Sequence, residues 1–219
     1  MTASPHPCVV LLAAGQSQRM GGQPPIDKLL LPLPRAGLRK TLLEDRIDAV
    51  RGSGLDLVLI LPPEQSFPGR WDIARTCGIT PVTSPHAHLG IGESLSTAMA
   101  HIDGRYDSVL IVLADMPDIT SGHMQTIAHT GQSDEIWRGA SCQDSSNQVR
   151  PGHPVRLPRR LFPRIAQLSG DHGAQKILAG EKTHLIPLPG DAAILDLDTE
   201  EDWVKRFGFN LIQGETETR

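Results

Sequence analysis

The sequence predicts a single α/β domain in which a Rossmann-like, open, mixed but mostly parallel sheet is flanked by helices. Short and almost continuously apolar runs recur along the first half of the chain, at residues 8–14, 57–61 and 108–114. Segments with apolar residues at helical spacing lie between these runs, at residues 40–50 and 92–102. Continuous apolar strands are typical of sheets covered on both faces, and the alternation of strand and helix predicts right-handed βαβ crossovers.

Each element of the first half follows from its apolar pattern. The three runs are rich in Val, Ile and Leu, which favour strands. In the segment 92–102, the side chains of Leu95, Ala98, Met99 and Ile102 fall on one side of a helix, and we expect this stripe to face the sheet. Parallel strands of this kind place their carboxyl ends at one edge, where open α/β sheets bind ligands.

The second half of the chain has a less regular pattern. A helix is predicted at residues 120–129, with Thr120 or Ser121 as its N-cap. The other predicted elements are strands at 135–140 and 155–157 around a polar loop at 141–150, short helices at 158–167 and 173–178, late strands at 184–188 and 193–197, and a closing helix at 200–207.

The length of 219 residues suits one domain. The chain shows no internal repeat and no linker that would mark a boundary. We therefore predict one domain over residues 1–210, followed by a polar, frayed tail at 211–219.

Composition and charge argue against several classes of protein. The chain is 39% hydrophobic and carries a net charge of −4, so it lacks the basic excess typical of proteins that bind nucleic acid or acidic membranes. Cys8, Cys77 and Cys142 are far apart and lack CxxC spacing, which argues against a disulfide framework or structural zinc. No run approaches the roughly 18 apolar residues of a membrane span, and no signal-peptide pattern opens the chain. We expect a cytoplasmic protein.

The stretch LLAAGQSQRMGG at residues 11–22, with Lys28 downstream, is the most informative part of the sequence. An apolar strand leads into small residues, whose backbone N–H groups can approach and cradle phosphate oxygens. Arg19 and Lys28 could neutralise a triphosphate and a departing pyrophosphate. Neither GxxxxGK[ST] nor GxGxxG occurs at this position. The alternative is a glycine-rich turn with two solvated cations.

Two groups of carboxylates are candidates for binding a cation. Asp115 follows the apolar run 108–114 at the predicted ligand edge, and Mg²⁺ usually takes one or two carboxylates. Asp118 better suits a capping role. Strand alternation would place Asp196 and Asp198 on one face, so Asp198, with Asp196 as the alternate, could be a second ligand. Equally, Asp198 or Thr199 could cap the last helix.

Six short motifs, in order along nearly the whole chain, resemble those of the MobA-like NTP transferases. They are LLAAG-x-S-x-RMG at 11–21, G-x-G-x-S-L at 90–95, ADMP at 114–117, GHPV at 152–155, GDxGA at 170–174 and LDLDTEED at 195–202. The LAAG form, rather than LAGG, resembles the molybdenum cofactor cytidylyltransferases. The chain departs from the family pattern in the six residues 22–27 between Gly21 and Lys28, where shorter spacers are usual, and in Glu200, where proline is usual.

The resemblance implies a glycosyltransferase-A-like fold with a nucleotide half at about 1–118 and an acceptor half at about 119–210. The residues it implies for nucleotide binding are Leu12, Ala13, Ala14, Gly15, Arg19, Lys28, Gly92 and Ser94. It implies acceptor contacts from Gly152, His153 and Asp171, catalytic roles for Arg19, Lys28 and Asp115, and metal binding by Asp115 and Asp198. Helix capping by Ser94, loop packing by His153 and a plain turn at 170–174 remain alternatives, and His86 and His88 are interpreted as loop residues.

By this resemblance the protein is a Mg²⁺-dependent enzyme that transfers CMP from CTP to molybdopterin and releases pyrophosphate. A molybdenum enzyme or an insertion chaperone would be a further partner. One alternative is a guanylyltransferase or another NTP transferase that acts on a different phosphorylated acceptor. The other is a non-catalytic module that binds a nucleotide or cofactor and hands it to a partner.

Overall fold

The computed structural model of the chain describes residues 6–20, 26–35, 38–142 and 149–208. The tail at 211–219, most of the spacer at 22–27 and most of the polar loop at 141–150 lie outside these ranges. The described part is an α/β fold whose nine strands are β1 (Pro7–Leu12), β2 (Pro32–Arg35), β3 (Leu38–Thr41), β4 (Asp56–Leu61), β5 (Val82–Thr83), β6 (Ser108–Leu113), β7 (Ile136–Cys142), β8 (Val149–Pro158) and β9 (Thr183–Leu188).

Seven of these strands form one sheet in the order β5-β4-β1-β6-β8-β7-β9. Strand β8 pairs antiparallel with both β6 and β7, whereas the other pairs of this sheet are parallel. The short strands β2 and β3 form a separate antiparallel hairpin. The prediction of a mixed, mostly parallel sheet is therefore confirmed.

Helices cover both faces of the large sheet. In chain order they are α1 (Leu42–Gly52), α2 (Pro68–Thr76), α3 (Ile91–Met99), α4 (Ser121–His129), α5 (Phe162–Ile165), α6 (Gln175–Leu178) and α7 (Glu200–Phe207). One core contains side chains of α1, α2, α4 and α7, and the other contains side chains of α3, α5 and α6. Within these ranges, no helix has both the length and the apolar character that crossing a membrane requires.

The pattern of β1 shows why its sequence is apolar at every position. Val9 and Leu11 enter one core, while Cys8, Val10 and Leu12 enter the other, because successive side chains of a strand point to opposite faces. Helices α1, α4 and α7 each have a threonine N-cap that completes a capping box. The sequence predicted Thr120 or Ser121 as the cap of α4 and Asp198 or Thr199 as the cap of the last helix, and the cap is the threonine in both helices.

The predicted strand at 193–197 is wrong. Residues 191–194 form a turn in which the carbonyl of Asp191 accepts hydrogen bonds from the N–H groups of Ile194 and Leu195. The chain then runs without regular structure to α7, and the N–H of Leu197 donates to the carbonyl of Asp115 at 2.9 Å. Strand alternation therefore does not set the directions of the Asp196 and Asp198 side chains.

Candidate active site

The site lies at the carboxyl ends of β1 and β6, where a cavity of about 370 Å³ opens. This volume falls within the range of small-molecule sites, about 300–1,000 Å³. Nine of the residues predicted to bind nucleotide, acceptor or metal line it: Leu12, Ala14, Gly15, Arg19, Lys28, Ser94, Asp115, Asp171 and Asp198. These residues are spread from position 12 to position 198 of the sequence, so only folding brings them together.

Lys28 stands at the centre of a buried ionic network. Its Nζ lies 2.6 Å from Oδ2 of Asp115 and 2.5 Å from Oδ1 of Asp198, and the residue is only 6% exposed. Burial by itself would lower the pKa of Lys28, but the two carboxylates outweigh it and raise the pKa above its ordinary value. The lysine is therefore charged at neutral pH, and its charge is already shared between two anions.

Arg19 completes the network from the solvent side. Its Nη2 lies 2.7 Å from Oδ2 of Asp198, while its side chain remains 72% exposed. An exposed ion pair of this kind contributes little to stability, about 0–1 kcal/mol. Arg19 is thus held near the cavity but can leave Asp198 for a stronger anion at small cost.

The loop after β1 offers unpaired backbone donors. The N–H groups of residues 14–17 have no acceptor within the described part of the chain, whereas the N–H of Ala13 donates a hydrogen bond to the carbonyl of Ile60. Ala14, Gly15, Gln16 and Ser17 all line the cavity. Consecutive free N–H groups form a concave anion site.

The segment that starts α3 forms another wall of the cavity. The backbone of Gly90 and Gly92 packs directly on the backbone of residues 169–171, so closely that a Cβ at either glycine would overlap it. The N–H of Gly92 is taken by the carbonyl of Gly170 at 2.9 Å, and Gly92 does not line the cavity. Ser94 does line it, and its Oγ lies 3.4 Å from Oγ of Ser84 rather than capping the helix.

Gly152 and His153 occupy a different position from Asp171. Asp171 lines the cavity, but Gly152 packs against the carbonyl of Ala193, to which the N–H of His153 donates at 2.7 Å. Burial, ahead of the nearby Arg138 charge, lowers the pKa of His153 to about 4. The imidazole is therefore neutral at pH 7, and neither Gly152 nor His153, both predicted to contact the acceptor, lines the cavity.

Asp115 and Asp198 fit the requirements of a hard divalent cation. Oδ1 of Asp115 is buried and has no hydrogen-bond partner among the described residues, and a buried carboxylate oxygen without a partner is costly unless a ligand binds it. The pKa of Asp196 is raised, first by partial burial and then by repulsion from Asp198 and Asp115. Asp196 therefore lies close enough to interact electrostatically with both carboxylates. No group of three or more His, Cys, Asp or Glu residues converges in the ranges described, and Mg²⁺ needs only one or two carboxylates.

Two arginines hold the loops that carry these carboxylates. The buried guanidinium of Arg46 donates to the carbonyls of Met116, at 2.9 Å, and Ile119, at 2.5 Å. Arg206 of α7 forms a bidentate pair with Asp118, whose predicted capping role falls instead to Thr120. The loops of Asp115 and Asp198 are consequently fixed against each other.

Sequence reasoning missed several residues of this site. Gln16, Ser17, Gln18, Ala87, Gly90, Ile91 and Leu113 line the cavity, and so does His88, which was predicted to be a loop residue without a role in the site. The buried Arg70, which contacts the loop after β1, was also missed. The motif positions on either side gave a signal for Gln16, Gln18, Gly90 and Ile91, but no pattern pointed to Arg70.

Two named proteins are similar to this chain over nearly its full length. Purine catabolism protein PucB of Bacillus subtilis is 27% identical over 214 residues, which covers 91% of this chain and 95% of PucB. Nicotine blue oxidoreductase of Paenarthrobacter nicotinovorans is 29% identical over 207 residues, which covers 89% of this chain and 94% of that protein.

Among solved structures, Rv0371c from Mycobacterium tuberculosis H37Rv superposes with a TM-score of 0.73 at 25% identity, covering 94% of this chain and all of Rv0371c. The same protein has also been solved as a complex with manganese. The family model described as the MobA-like NTP transferase domain matches residues 9–186, which span most of the chain and include every residue that lines the cavity except Asp198. The prediction of family and enzyme class is thereby confirmed: this chain belongs to the MobA-like NTP transferases and is a nucleotidyltransferase.

Proposed function

We propose that the protein transfers CMP from CTP to the phosphate of a molybdopterin-type acceptor and releases pyrophosphate, with Mg²⁺ as its cofactor. A phosphate oxygen of the acceptor attacks the α-phosphorus, a new P–O bond forms, and the bond from the α-phosphorus to the bridging oxygen breaks. The observation that carries this proposal is the meeting of Lys28, Asp115 and Asp198 beside a loop whose N–H groups at residues 14–17 have no acceptor among the described residues.

The protein's own groups account for binding and charge neutralisation. The free N–H groups of residues 14–17 cradle phosphate oxygens, and Arg19 and Lys28 stabilise the charge on the departing pyrophosphate. An ionised acceptor phosphate is already a nucleophile, so no general base is required. Positioning of the two substrates in line then supplies most of the acceleration.

Asp115 and Asp198 would hold the metal ion, since one offers an unpartnered oxygen and both face the same ammonium. Bound there, Mg²⁺ would neutralise negative charge on the phosphate oxygens. The manganese complex of Rv0371c, a protein 25% identical to this chain, supports the use of a divalent cation.

The choice of CTP and molybdopterin is supported by the LAAG form of the first motif alone. GTP or another phosphorylated acceptor is the alternative within the family, and a binding module that hands a cofactor to a molybdenum enzyme or chaperone is the alternative without catalysis. Of the residues that the resemblance implies for acceptor binding, Asp171 lines the cavity and supports an acceptor site there, whereas Gly152 and His153 pack against Ala193. The free thiols of Cys8 and Cys77 are consistent with the proposed cytoplasmic location.

Thermal unfolding with each of the four nucleoside triphosphates, in Mg²⁺ or in EDTA, tests the proposal. A nucleotide at 100 times its Kd stabilises the folded state by about 2.7 kcal/mol. We expect the largest shift with CTP and Mg²⁺, and we expect pyrophosphate release when molybdopterin is added. Preference for GTP would indicate the guanylyltransferase, and binding without pyrophosphate release would indicate the binding module.

Asp115→Asn separates catalysis from folding. The substitution keeps the side-chain volume but removes the charge that a metal requires, so we expect pyrophosphate release to be lost while the far-UV spectrum is unchanged. Asp72→Asn is the control, because the Asp72 side chain is 71% exposed on α2 and lies outside the cavity lining. Full turnover by Asp115→Asn would exclude the proposed metal role.

A further inference from the structure

Arg70 on α2 is a fully buried arginine whose donors are all used. The residue is 0% exposed, and its guanidinium lies over the ring of Phe67 at 4.1 Å. Nε and Nη2 bind the two carboxylate oxygens of Asp27, each at 2.8 Å. Nη1 donates to the carbonyls of Ala13 and Gly15, both at 2.7 Å, and Nη2 donates to Oγ of Ser17 at 3.2 Å. These contacts satisfy all five N–H donors of a guanidinium.

The two carbonyls determine where the loop points its N–H groups. In a trans peptide the C=O and the N–H point in opposite directions. The C=O groups of Ala13 and Gly15 share their peptides with the N–H groups of Ala14 and Gln16, so these two N–H groups point away from Arg70. Ala14 and Gln16 line the cavity, and Arg70 does not. By holding the carbonyls, Arg70 turns the N–H groups of Ala14 and Gln16 toward the ligand side.

The same guanidinium also fixes the position of Lys28. Asp27 caps the short helix Lys28–Leu30, because its Oδ1 accepts from the N–H of Leu29 at 3.1 Å. Lys28 follows Asp27 directly and reaches Asp115 and Asp198 from there. The pairing of Asp27 with Arg70 therefore anchors the residue next to Lys28, at the end of the spacer 22–27.

A buried arginine requires a partner in any case, and Asp27 alone would satisfy that requirement. The contacts with Ala13, Gly15 and Ser17 go further, because all three belong to the loop that faces the cavity. Ser17 also has a φ of 52°, a left-handed conformation that is uncommon outside glycine, and its hydroxyl is held by Arg70. The guanidinium thus maintains a strained loop conformation as well as an ion pair.

We propose that Arg70, together with Asp27, is the positioning residue that aligns the N–H groups of Ala14 and Gln16 with Lys28 for binding the triphosphate. Neither Arg70 nor Asp27 lines the cavity. The role in catalysis rests on the proposed function, but the alignment itself is a property of the protein without substrate. The two can be tested separately.

Arg70→Gln, Arg70→Lys and Asp27→Asn test the alignment. Lysine keeps the charge but cannot pair with both oxygens of Asp27 and two carbonyls, so it should not restore the alignment. The matched control is Arg156→Gln, since Arg156 is also 0% exposed and donates to the carbonyls of Ile127, Ala128 and Gln132, outside the cavity lining. A general loss of stability should affect both positions equally.

The first measurement is amide hydrogen exchange of the full chain without ligand. We expect faster exchange of the hydrogen-bonded amides within residues 13–20 and 26–30, which are those of Ala13, Met20, Leu29 and Leu30, in the Arg70 and Asp27 variants, but not in Arg156→Gln. The second is nucleotidyl transfer, in which a displacement of about 1 Å can lower kcat about 10²-fold. We expect kcat/KM to fall about 10²-fold in Arg70→Gln, with kcat falling more than KM rises.

Two results would overturn the proposal. One is unchanged exchange at residues 13–20 and 26–30 in Arg70→Lys and Asp27→Asn, which are the variants to use if Arg70→Gln does not fold. The other is an equal effect of Arg156→Gln and Arg70→Gln on those segments. If the unsubstituted protein transferred no nucleotidyl group, the proposed function would fail, and the exchange data would still decide whether Arg70 holds the loop.

Discussion

Replacing Lys28 with methionine tests the central feature of the site, an ammonium that bridges two carboxylates. Methionine has nearly the same length and fills the same space, but it removes the charge. Asp115 and Asp198 would then face each other without the cation that lies 2.6 and 2.5 Å from their oxygens. We expect Lys28→Met to destabilise the metal-free protein and to make the site more receptive to a divalent cation.

The size of the destabilisation follows from the burial of the three side chains. Removing one partner of a fully buried ion pair costs about 3–5 kcal/mol. The lysine side chain is 8% exposed, but those of Asp115 and Asp198 are 23% and 17% exposed, so water recovers part of that loss. We therefore expect a loss near 2–3 kcal/mol, which lowers the Tm of a protein of this size by about 4–12 °C.

Urea unfolding at several Mn²⁺ concentrations measures both effects. Manganese should stabilise Lys28→Met more than the unsubstituted protein at equal concentration, because the ammonium no longer competes for the carboxylates. Lys40→Met is the control. The Lys40 and Asp48 side chains are 41% and 39% exposed, and an exposed pair contributes only about 0–1 kcal/mol.

The reasoning fails if Lys28→Met unfolds at the same urea concentration as Lys40→Met. It also fails if manganese stabilises Lys28→Met no more than the unsubstituted protein. The first result would mean that the bridging ammonium contributes nothing to the metal-free state. The second would mean that the lysine and the cation do not compete for the same oxygens.

Two further predictions concern the second half of the chain. The pKa of His153 is lowered to about 4, mainly by burial, so between pH 4 and 6.5 the unfolded chain binds more protons than the folded one. The free energy of unfolding should therefore fall as the pH drops from about 6.5 to 4. Urea titrations of His153→Gln should show a weaker dependence of this free energy on pH. An unchanged dependence would mean that other groups cause it. Gly152→Ala should lower the free energy of unfolding by about 1–3 kcal/mol, because the added methyl group would overlap the carbonyl of Ala193. The control, Gly180→Ala, has open space around the glycine and should leave the stability unchanged in the same assay. Equal losses in the two variants would contradict the close packing of Gly152 on Ala193.

The elements that sequence predicted well are those whose pattern is local. Strands β1, β4 and β6 are apolar on both faces and so stand out in any window. Helix α2 could not be predicted because its two buried residues are Arg70 and Ala74, and the arginine interrupts the apolar stripe of a typical helix. The hairpin of β2 and β3 and the two-residue β5 are too short for periodicity to show.

The same distinction between local and non-local features applies to the candidate site. The small residues after β1 and the carboxylate after β6 could be identified because each directly follows a strand end. Asp198 could be named from its motif, but its strand was wrong, because the backbone of Leu197 pairs with the loop of Asp115 instead of joining a sheet. Buried arginines such as Arg70 could not be identified, since a charged residue in a sequence is expected at the surface.

The fold class, the family and the residue types that meet at the ligand edge could all be predicted from the amino-acid sequence. Those depend on short segments, each with its own pattern. Two other features are visible only in the folded chain: Lys28 pairs with carboxylates 87 and 170 residues away, and the guanidinium of Arg70 on α2 contacts both the loop after β1 and Asp27, the residue next to Lys28. These contacts depend on the balance between burial and pairing of charge in three dimensions, which no local pattern records.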